Sequence, residues 1–377
     1  MKRIYDFKLY DISHKLNEAF DDTSKRRLMA DLRRYCEESG SDYDAVCKAL
    51  NIKGAALSNL DKKQIEWLDE KIGNGKWEAN DKTGKVDVYG NVNIYAHYGS
   101  KITEIPYGIK LGVVNGDFSL SNHSIESFKT MPDEITGSLY LRGNDIKSLD
   151  GMPTVGRTID LSSNPLESLE GCQQVVNGDF AISNCTLSNL AGAPNKIVGT
   201  FNCSDNLLSS LEGGPDEVGL SYNCSNNKLR TLNGFPQEFG FSGGSDVNVS
   251  NNQLYTLENI PVSKYVSITA KSNLYPESML KEMYGQARMY GSWAAAYLWL
   301  LTTEKFQRMS KAQRDPIRDL LASGYLKDKS IGLAKVWKSD LMENPAIKRL
   351  MRKVQLDSDK DFKDSADLGS DLDAIGF

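Results

Sequence analysis

Hydrophobic and polar positions recur together along the middle of the chain. The segment 141–149 matches 161–169, 203–211 and 224–232 position by position, and more divergent copies occupy 120–128, 182–190 and 249–257. The apolar residues that close the copies are spaced by 21, 20, 21, 21, 21 and 25 residues, and a glycine-rich insertion around 241–245 lengthens the last interval. They are Phe128, Leu149, Leu169, Leu190, Leu211, Leu232 and Leu257. A repeat of this length predicts a solenoid.

Each part of the unit predicts a local structure. An apolar-x-apolar pair, such as Leu139 and Leu141, places two side chains on one face of a short strand. An asparagine follows in most copies and predicts a turn at every level, whereas His123 and Cys185 replace it and predict an imperfect ladder there. The proline that comes next favours an extended return segment rather than another strand. One unit cannot bury its apolar side alone, so the units are expected to stack.

This pattern covers roughly residues 86–275 and resembles a leucine-rich repeat array of the compact bacterial and large-phage type. The resemblance implies an α+β solenoid with short parallel strands, which binds partners, mostly proteins, on its concave sheet. Divergent units are expected at 88–105 and 266–274. The predicted organisation is a helical N-terminal cap domain at 1–85, the repeat solenoid at 86–275, a helical C-terminal domain at 276–356 and an acidic disordered tail at 357–377.

Side chains that flank the inward pairs are expected to point out of the sheet. Most are small and polar, and Tyr140 and Arg142 are the only large ones, so they are the leading candidates for partner contact. Further candidates on neighbouring strands are Asp160, Asn202, Asn223 and Asn248. The column of serines is more simply interpreted as a solvated, hydrogen-bonded ladder. Residues 86–276 contain 11 Lys and Arg against 19 Asp and Glu, which favours a partner with some basic surface.

The N-terminal segment has two interpretations. A helix is predicted from Thr23 or Ser24 to near Gly40, and the segment 43–60 has the spacing of a helix-turn-helix unit. In that interpretation Lys53, Ser58 and Asn59 lie on the recognition helix. Residues 1–85 hold 17 basic and 16 acidic residues, a weak balance for binding phosphates. Covering the end of the array is therefore the favoured role, and nucleic-acid binding is the alternative.

The C-terminal segment is also predicted to be helical, and it is followed by an acidic tail. Trp293, Tyr297, Leu298 and Leu301 recur at helical spacing and are expected in a core. The basic cluster at 348–353 is a solvated helix face or a site for an anionic partner. The tail has seven Asp and two Lys, and its end resembles the terminal peptides of single-strand-DNA-binding and clamp-binding proteins, an aromatic anchor with a free carboxylate. The residues concerned are Asp373, Ile375 and Phe377; the alternative is a solubilising tail.

The composition argues against several classes of protein and of functional site. A net charge of −5 excludes a protein that coats nucleic acid through overall positive charge. Three histidines (His14, His97 and His123) and six scattered cysteines argue against a zinc or iron–sulfur site. No phosphate loop, no HExxH motif and no GxSxG motif in a strand–turn–helix setting is present. Some bacterial effectors with similar repeats carry a C-terminal cysteine nucleophile, but no cysteine follows Cys224. No catalytic, cofactor or metal site is predicted.

These observations favour a non-enzymatic protein–protein interaction module, such as a phage or bacterial host-interaction factor or a virion component. No signal peptide or membrane-spanning run is recognised, and the expected location is the cytoplasm of a bacterium or a phage-infected host. The alternative is a nucleic-acid-associated regulatory factor that uses the helix-turn-helix-like segment and the C-terminal peptide. An enzyme within the C-terminal helical segment is a third hypothesis, which no motif supports.

Overall fold

A computed structural model of the chain describes residues 11–12, 14–15, 22–41, 46, 60–73, 75–80, 83–96, 101–240, 244–261, 265–323, 325–328 and 339–358. The chain forms two compact units, unit 1 from Met1 to Cys185 and unit 2 from Thr186 to Phe377. Two sets of predicted site residues lie outside the described residues. They are Lys53, Ser58 and Asn59 of the helix-turn-helix-like segment, and Asp373, Ile375 and Phe377 of the tail.

Helices α1 and α2 precede the strands of unit 1 in the described part of the chain. The first, α1, spans Asp22–Ser39, and the predicted stop is confirmed because Gly40 adopts a left-handed φ of 68°, which glycine tolerates at a helix end. The second, α2, spans Lys62–Leu68 and continues into a π-helical turn at Asp69–Gly73. A capping box between Asp61 and Gln64 starts α2 by satisfying backbone N–H groups that the helix leaves unpaired.

The strands of unit 1 are short and mostly parallel. They are β1 Trp77–Asn80, β2 Lys85–Tyr89, β3 Val92–Asn93, β4 Leu111–Asn115, β5 Phe118–Ser119, β6 Glu134–Ile135, β7 Leu139–Tyr140, β8 Thr154–Val155, β9 Ile159–Asp160, β10 Val175–Val176 and β11 Phe180–Ala181. Strands β3, β5, β7, β9 and β11 lie side by side in a front sheet, and β2, β4, β6 and β8 form a return sheet. Among the strands that the structure describes in this unit, only β1 pairs in the antiparallel sense, with β2. A 3-10 turn spans Pro106–Gly108.

Unit 2 repeats this arrangement and then becomes helical. Its strands are β12 Lys196–Ile197, β13 Phe201–Asn202, β14 Glu217–Val218, β15 Tyr222–Asn223, β16 Glu238–Phe239, β17 Ser245–Asn248 and β18 Val266–Thr269. Strands β13, β15, β17 and β18 form the front sheet of this unit, and β12, β14 and β16 form its return sheet. The helices are α3 Glu277–Tyr290, α4 Trp293–Leu301, α5 Glu304–Gln307, α6 Lys311–Ala322, α7 Tyr325–Asp328 and α8 Pro345–Ser358, with a 3-10 turn at Asp340–Glu343.

The repeats form a parallel β-solenoid with about eight turns in the chain. Each regular turn contains a front strand, a bend with a left-handed residue, and a return strand, as in β7, Gly143 and β8. The expectation that the return segment is not a strand is wrong. Pro153 directly precedes β8, so its missing N–H lies ahead of the strand and removes no hydrogen bond within it.

The core consists of the apolar pairs and closing residues that the repeat pattern singles out. Leu139, Leu141 and Leu149 are fully buried, as are the equivalent residues of other turns. In the helical part of unit 2, Tyr297, Leu298 and Leu301 are fully buried as predicted, whereas Trp293 is partly exposed.

One side chain interrupts the return sheet of unit 1. The sheet ends at β8, because the amide of Gln173 takes the place of a neighbouring strand. Its Oε1 accepts the Val155 N–H at 2.9 Å, and its Nε2 donates to the carbonyls of Val155 at 2.9 Å and Val175 at 2.6 Å. A side-chain amide carries the same donor and acceptor as a peptide group, so β8 and β10 separate without leaving these groups unpaired.

Candidate functional site

Side chains of the front sheet in unit 1 alternate between the core and the surface. Leu139 and Leu141 are buried, whereas Tyr140 is half-buried and Arg142 is exposed. Tyr140 lies in register with Ser119 on β5 and with Asp160 on β9. The structure therefore brings three predicted candidates together on the surface of neighbouring turns.

A third large side chain joins this surface from the first turn. Tyr95 follows β3 and has 73% of its surface exposed. Asn93 pairs with Ser119, so Tyr95, two residues later, lies level with Ser121, which in turn lies level with Arg142. Tyr95, Tyr140 and Arg142 are named here the tyrosine–arginine patch. Sequence reasoning missed Tyr95 because the first repeat is divergent; the buried pair Val92 and Ile94 is the signal that places Tyr95 outside.

The polar groups of the tyrosine–arginine patch are available for binding. Arg142 forms no ion pair with any residue that the structure describes. The carboxylate of Asp160 is partly committed, because its Oδ1 accepts the N–H of Ser162 at 2.9 Å. Ser119 and Ser121 are small, and the Ser121 hydroxyl donates to the Tyr140 carbonyl at 3.3 Å. Small side chains thus separate the large ones.

In unit 2 the predicted residues Asn202, Asn223 and Asn248 also lie together. They are half-exposed and in register on the adjacent parallel strands β13, β15 and β17. Each amide oxygen accepts the backbone N–H two residues further along, at 3.1 to 3.2 Å. These asparagines therefore have a turn-forming role as well as a place on the surface.

A separate, buried asparagine ladder joins successive turns. In a typical turn Asn227 accepts the Leu208 N–H at 2.9 Å and donates to the Cys203 and Cys224 carbonyls at 3.1 and 3.2 Å. The same pattern recurs at Asn144, Asn164, Asn252 and Asn273. The ladder is structural, because its amides bond to backbone groups inside the solenoid.

The two replacements in this ladder differ in chemistry. His123 fills both roles, because its Nδ1 accepts the Ile102 N–H at 3.2 Å and its Nε2 lies 3.0 Å from the Ile94 carbonyl. The Cys185 thiol donates to the Leu161 carbonyl at 3.3 Å, while the Leu166 N–H bonds to a backbone carbonyl instead. The predicted imperfection therefore occurs at Cys185, where the Leu166 N–H bonds elsewhere, whereas His123 keeps both kinds of hydrogen bond.

A half-buried carboxylate, that of Glu258, connects the last repeat of unit 2 to its helices. Glu258 accepts hydrogen bonds from the hydroxyls of Tyr297 at 2.8 Å and Tyr325 at 2.6 Å, and Thr256 lies 2.8 Å from the Tyr297 hydroxyl. Burial, together with the negative charge of Glu258, raises the pKa of both tyrosines above the usual range. These phenols stay protonated and hold the helices to the repeat.

The remaining candidate chemistry is buried or dispersed. Burial raises the pKa of the Cys172 and Cys203 thiols to about 12 and that of Cys185 to about 11, which keeps them protonated and unreactive near neutral pH. Among the described residues, no group of three or more His, Cys, Asp or Glu side chains could hold a metal ion. His97 lies outside the described residues.

Comparisons with known proteins give no relative. No protein-family model, no curated protein and no solved structure matches this chain. Within the described parts of the chain, no helix is both long and apolar enough to cross a membrane.

Proposed function

We propose that this protein is a non-enzymatic interaction module of leucine-rich repeat type, and that the front sheet of unit 1 binds a protein partner. The repeat period, the asparagine in the bend and the short parallel strands support the assignment to leucine-rich repeats. The tyrosine–arginine patch is the observation that carries the proposed function.

The composition of this patch is that of a protein-binding hot spot. Tyrosine and arginine are enriched at the centres of protein interfaces, and a tyrosine ring contributes a large contact area while losing few rotamers. Tyr95 and Tyr140 lie on either side of small serines, so a partner side chain has space between the rings.

The charges around the patch define the complementary surface. Asp160 beside Tyr140 favours a basic group on the partner, whereas Arg142 favours a carboxylate, which a guanidinium can bind with two parallel hydrogen bonds. The excess of acidic residues over 86–276 favours a partner whose overall surface is basic.

Site-specific cross-linking and a double substitution test this proposal. A photoreactive phenylalanine at position 95 is expected to cross-link a protein in a lysate of the source cells, whereas the same group at the exposed Thr154 of the return sheet is not. Tyr140→Ala with Arg142→Ala is expected to reduce capture of the cross-linked protein at least tenfold, because two hot-spot side chains are lost.

The matched control is Lys147→Ala with Glu167→Ala, which removes two exposed charges of unit 1 away from the patch. Both double variants are expected to keep the wild-type thermal midpoint within a few degrees. Equal capture by the two variants would count against binding at the tyrosine–arginine patch.

A further inference from the structure

The front sheet of unit 2 carries a row of polar side chains that neighbouring strands hold in register. Asn202 pairs with Asn223, Asn223 with Asn248, and Asn248 with Thr269 on β18. Parallel strands lie about 4.8 Å apart, so the row presents one polar side chain per strand at that spacing. These four residues are named here the asparagine row.

The backbone holds each amide of the row in one orientation. The N–H groups of three serines donate to the three Oδ1 atoms: Ser204 to Asn202 at 3.1 Å, Ser225 to Asn223 at 3.2 Å, and Ser250 to Asn248 at 3.2 Å. A backbone N–H can only donate, so the atom that faces it is the oxygen and not the nitrogen. No described residue accepts a hydrogen bond from the three Nδ2 groups. The row therefore offers pre-oriented N–H donors to a ligand.

The charges beside the row disfavour a polyanion. Asp205 and Asp246 are exposed on its flanks, and Lys271 is exposed beyond Thr269. Two carboxylates against one ammonium group provide no attraction for the phosphates of a nucleic acid. The row also contains no aromatic ring on which bases could stack.

The spacing of the donors discriminates between neutral polymers lying across the strands. In an extended peptide, carbonyls that face one side recur about every 6.6 Å, which does not match the row. In a pyranose polymer each unit spans one six-membered ring and one glycosidic oxygen, a length close to the separation of two strands. Every such unit presents ring and hydroxyl oxygens that accept hydrogen bonds.

We propose that the asparagine row binds a neutral polysaccharide with a pyranose backbone, with one sugar facing each strand. The Nδ2 groups of Asn202, Asn223 and Asn248 donate to oxygens of successive sugars, and the Thr269 hydroxyl contacts a fourth. This site does not depend on the proposed protein partner, because it lies in unit 2 and shares no residue with the tyrosine–arginine patch.

Calorimetric titration of the full chain tests the ligand class. The probes are soluble β-1,4-linked oligosaccharides of glucose, mannose and N-acetylglucosamine, from two to six sugars long. At least one series is expected to bind, with an affinity that rises up to about four sugars and then levels off, because the row has four residues, one on each strand. Absence of binding in all three series, or tighter binding of heparin and polygalacturonate oligomers, would overturn the proposal.

A conservative substitution locates the site. Asn223→Asp keeps the oxygen that accepts the Ser225 N–H, as Asp160 does for Ser162, but replaces the N–H donors with a second oxygen. The expected result is about a tenfold loss of affinity for the best oligosaccharide, because one well-formed hydrogen bond is lost.

Asn226→Asp is the matched control. It makes the same charge change at an exposed neighbouring position, where the oxygen still accepts the Asn251 amide at 2.6 Å. This variant is expected to bind as the wild type does, and thermal unfolding verifies that both variants fold. Wild-type affinity in Asn223→Asp, or an equal loss in Asn226→Asp, would show that the row is not the binding site.

Discussion

The polar side chain at the bend of each turn connects that turn to the previous one. Asn227 accepts one buried backbone N–H, and it shares two carbonyls with the neighbouring asparagines of the ladder, because Asn206 also donates to Cys203 and Asn252 also donates to Cys224. The imidazole of His123 forms equivalent hydrogen bonds, because one ring nitrogen can accept and the other can donate. At this scale the requirement is for a donor and an acceptor in one side chain, and the asparagine amide provides an oxygen that accepts and a nitrogen with two hydrogens to donate.

This requirement predicts the effect of removing one amide. Asn227→Ala is expected to lower the free energy of unfolding by about 1 to 3 kcal/mol, because the Leu208 N–H remains buried without a partner and the Cys203 and Cys224 carbonyls each lose one hydrogen bond. Urea unfolding followed by circular dichroism measures the change. The exposed neighbour Lys228, replaced by alanine, is expected to change stability by less than about 0.5 kcal/mol. Similar losses in both variants would contradict the structural role of the ladder.

At the scale of elements, successive turns approach so closely that some corners exclude a side chain. A Cβ atom on Gly156, just after β8, would overlap the carbonyl oxygen of Thr136 in the preceding turn. Gln173 shows the opposite case, since its amide fills the place of a strand where two turns separate. The return sheet therefore depends on a few residues whose importance comes from the neighbouring turn.

A pair of glycine substitutions tests this close approach. Gly156→Ala is expected to destabilise the protein by more than about 2 kcal/mol, because backbone atoms must move to accommodate the methyl group. Gly285→Ala, within α3, has no atom within 4 Å of the new Cβ and is expected to stabilise by about 0.5 to 1 kcal/mol. Thermal unfolding of both variants measures the difference. Stabilisation by both substitutions would contradict the close approach of Gly156 to the preceding turn.

At the scale of the whole molecule, the solenoid buries ionisable groups in their neutral form. The Cys172, Cys185 and Cys203 thiols have pKa values raised by burial to between about 11 and 12, from an ordinary value of 9.0. Between pH 9 and these raised pKa values, the thiols of the unfolded chain lose protons that the thiols of the folded chain keep. The free energy of unfolding contributed by these thiols is therefore fully present below pH 9 and decreases as the pH rises towards 12.

The dependence of the free energy of unfolding on alkaline pH tests the burial of these thiols. The free energy of unfolding, determined with urea under reducing conditions, is expected to fall steadily above pH 9. Cys203→Ala is expected to be less stable at pH 7, because a core atom is lost, but to show a shallower decline between pH 9 and 11. A decline as steep as that of the wild type would mean that the Cys203 thiol does not titrate with unfolding.

The repeat pattern predicted the solenoid, its core and the outward positions of its front strands. Tyr140 and Arg142 could be selected because strand alternation is a local property that requires only a period of two. Tyr95 escaped selection because its repeat departs from the pattern at the bend. The return strands were missed because two-residue strands have no periodicity of their own and exist only through pairing with neighbouring turns.

The amino-acid sequence by itself therefore determined the period, the buried residues and the side chains available on the surface, because each follows from the order of apolar and polar residues. The tertiary structure decided which of these side chains are neighbours and which of their atoms are already bonded. Tyr95 and Arg142 are distant in the chain but close across parallel turns, and the amides of the asparagine row point outward only because a backbone N–H holds their oxygens. Both outcomes depend on stacking, a non-local interaction that no single repeat contains.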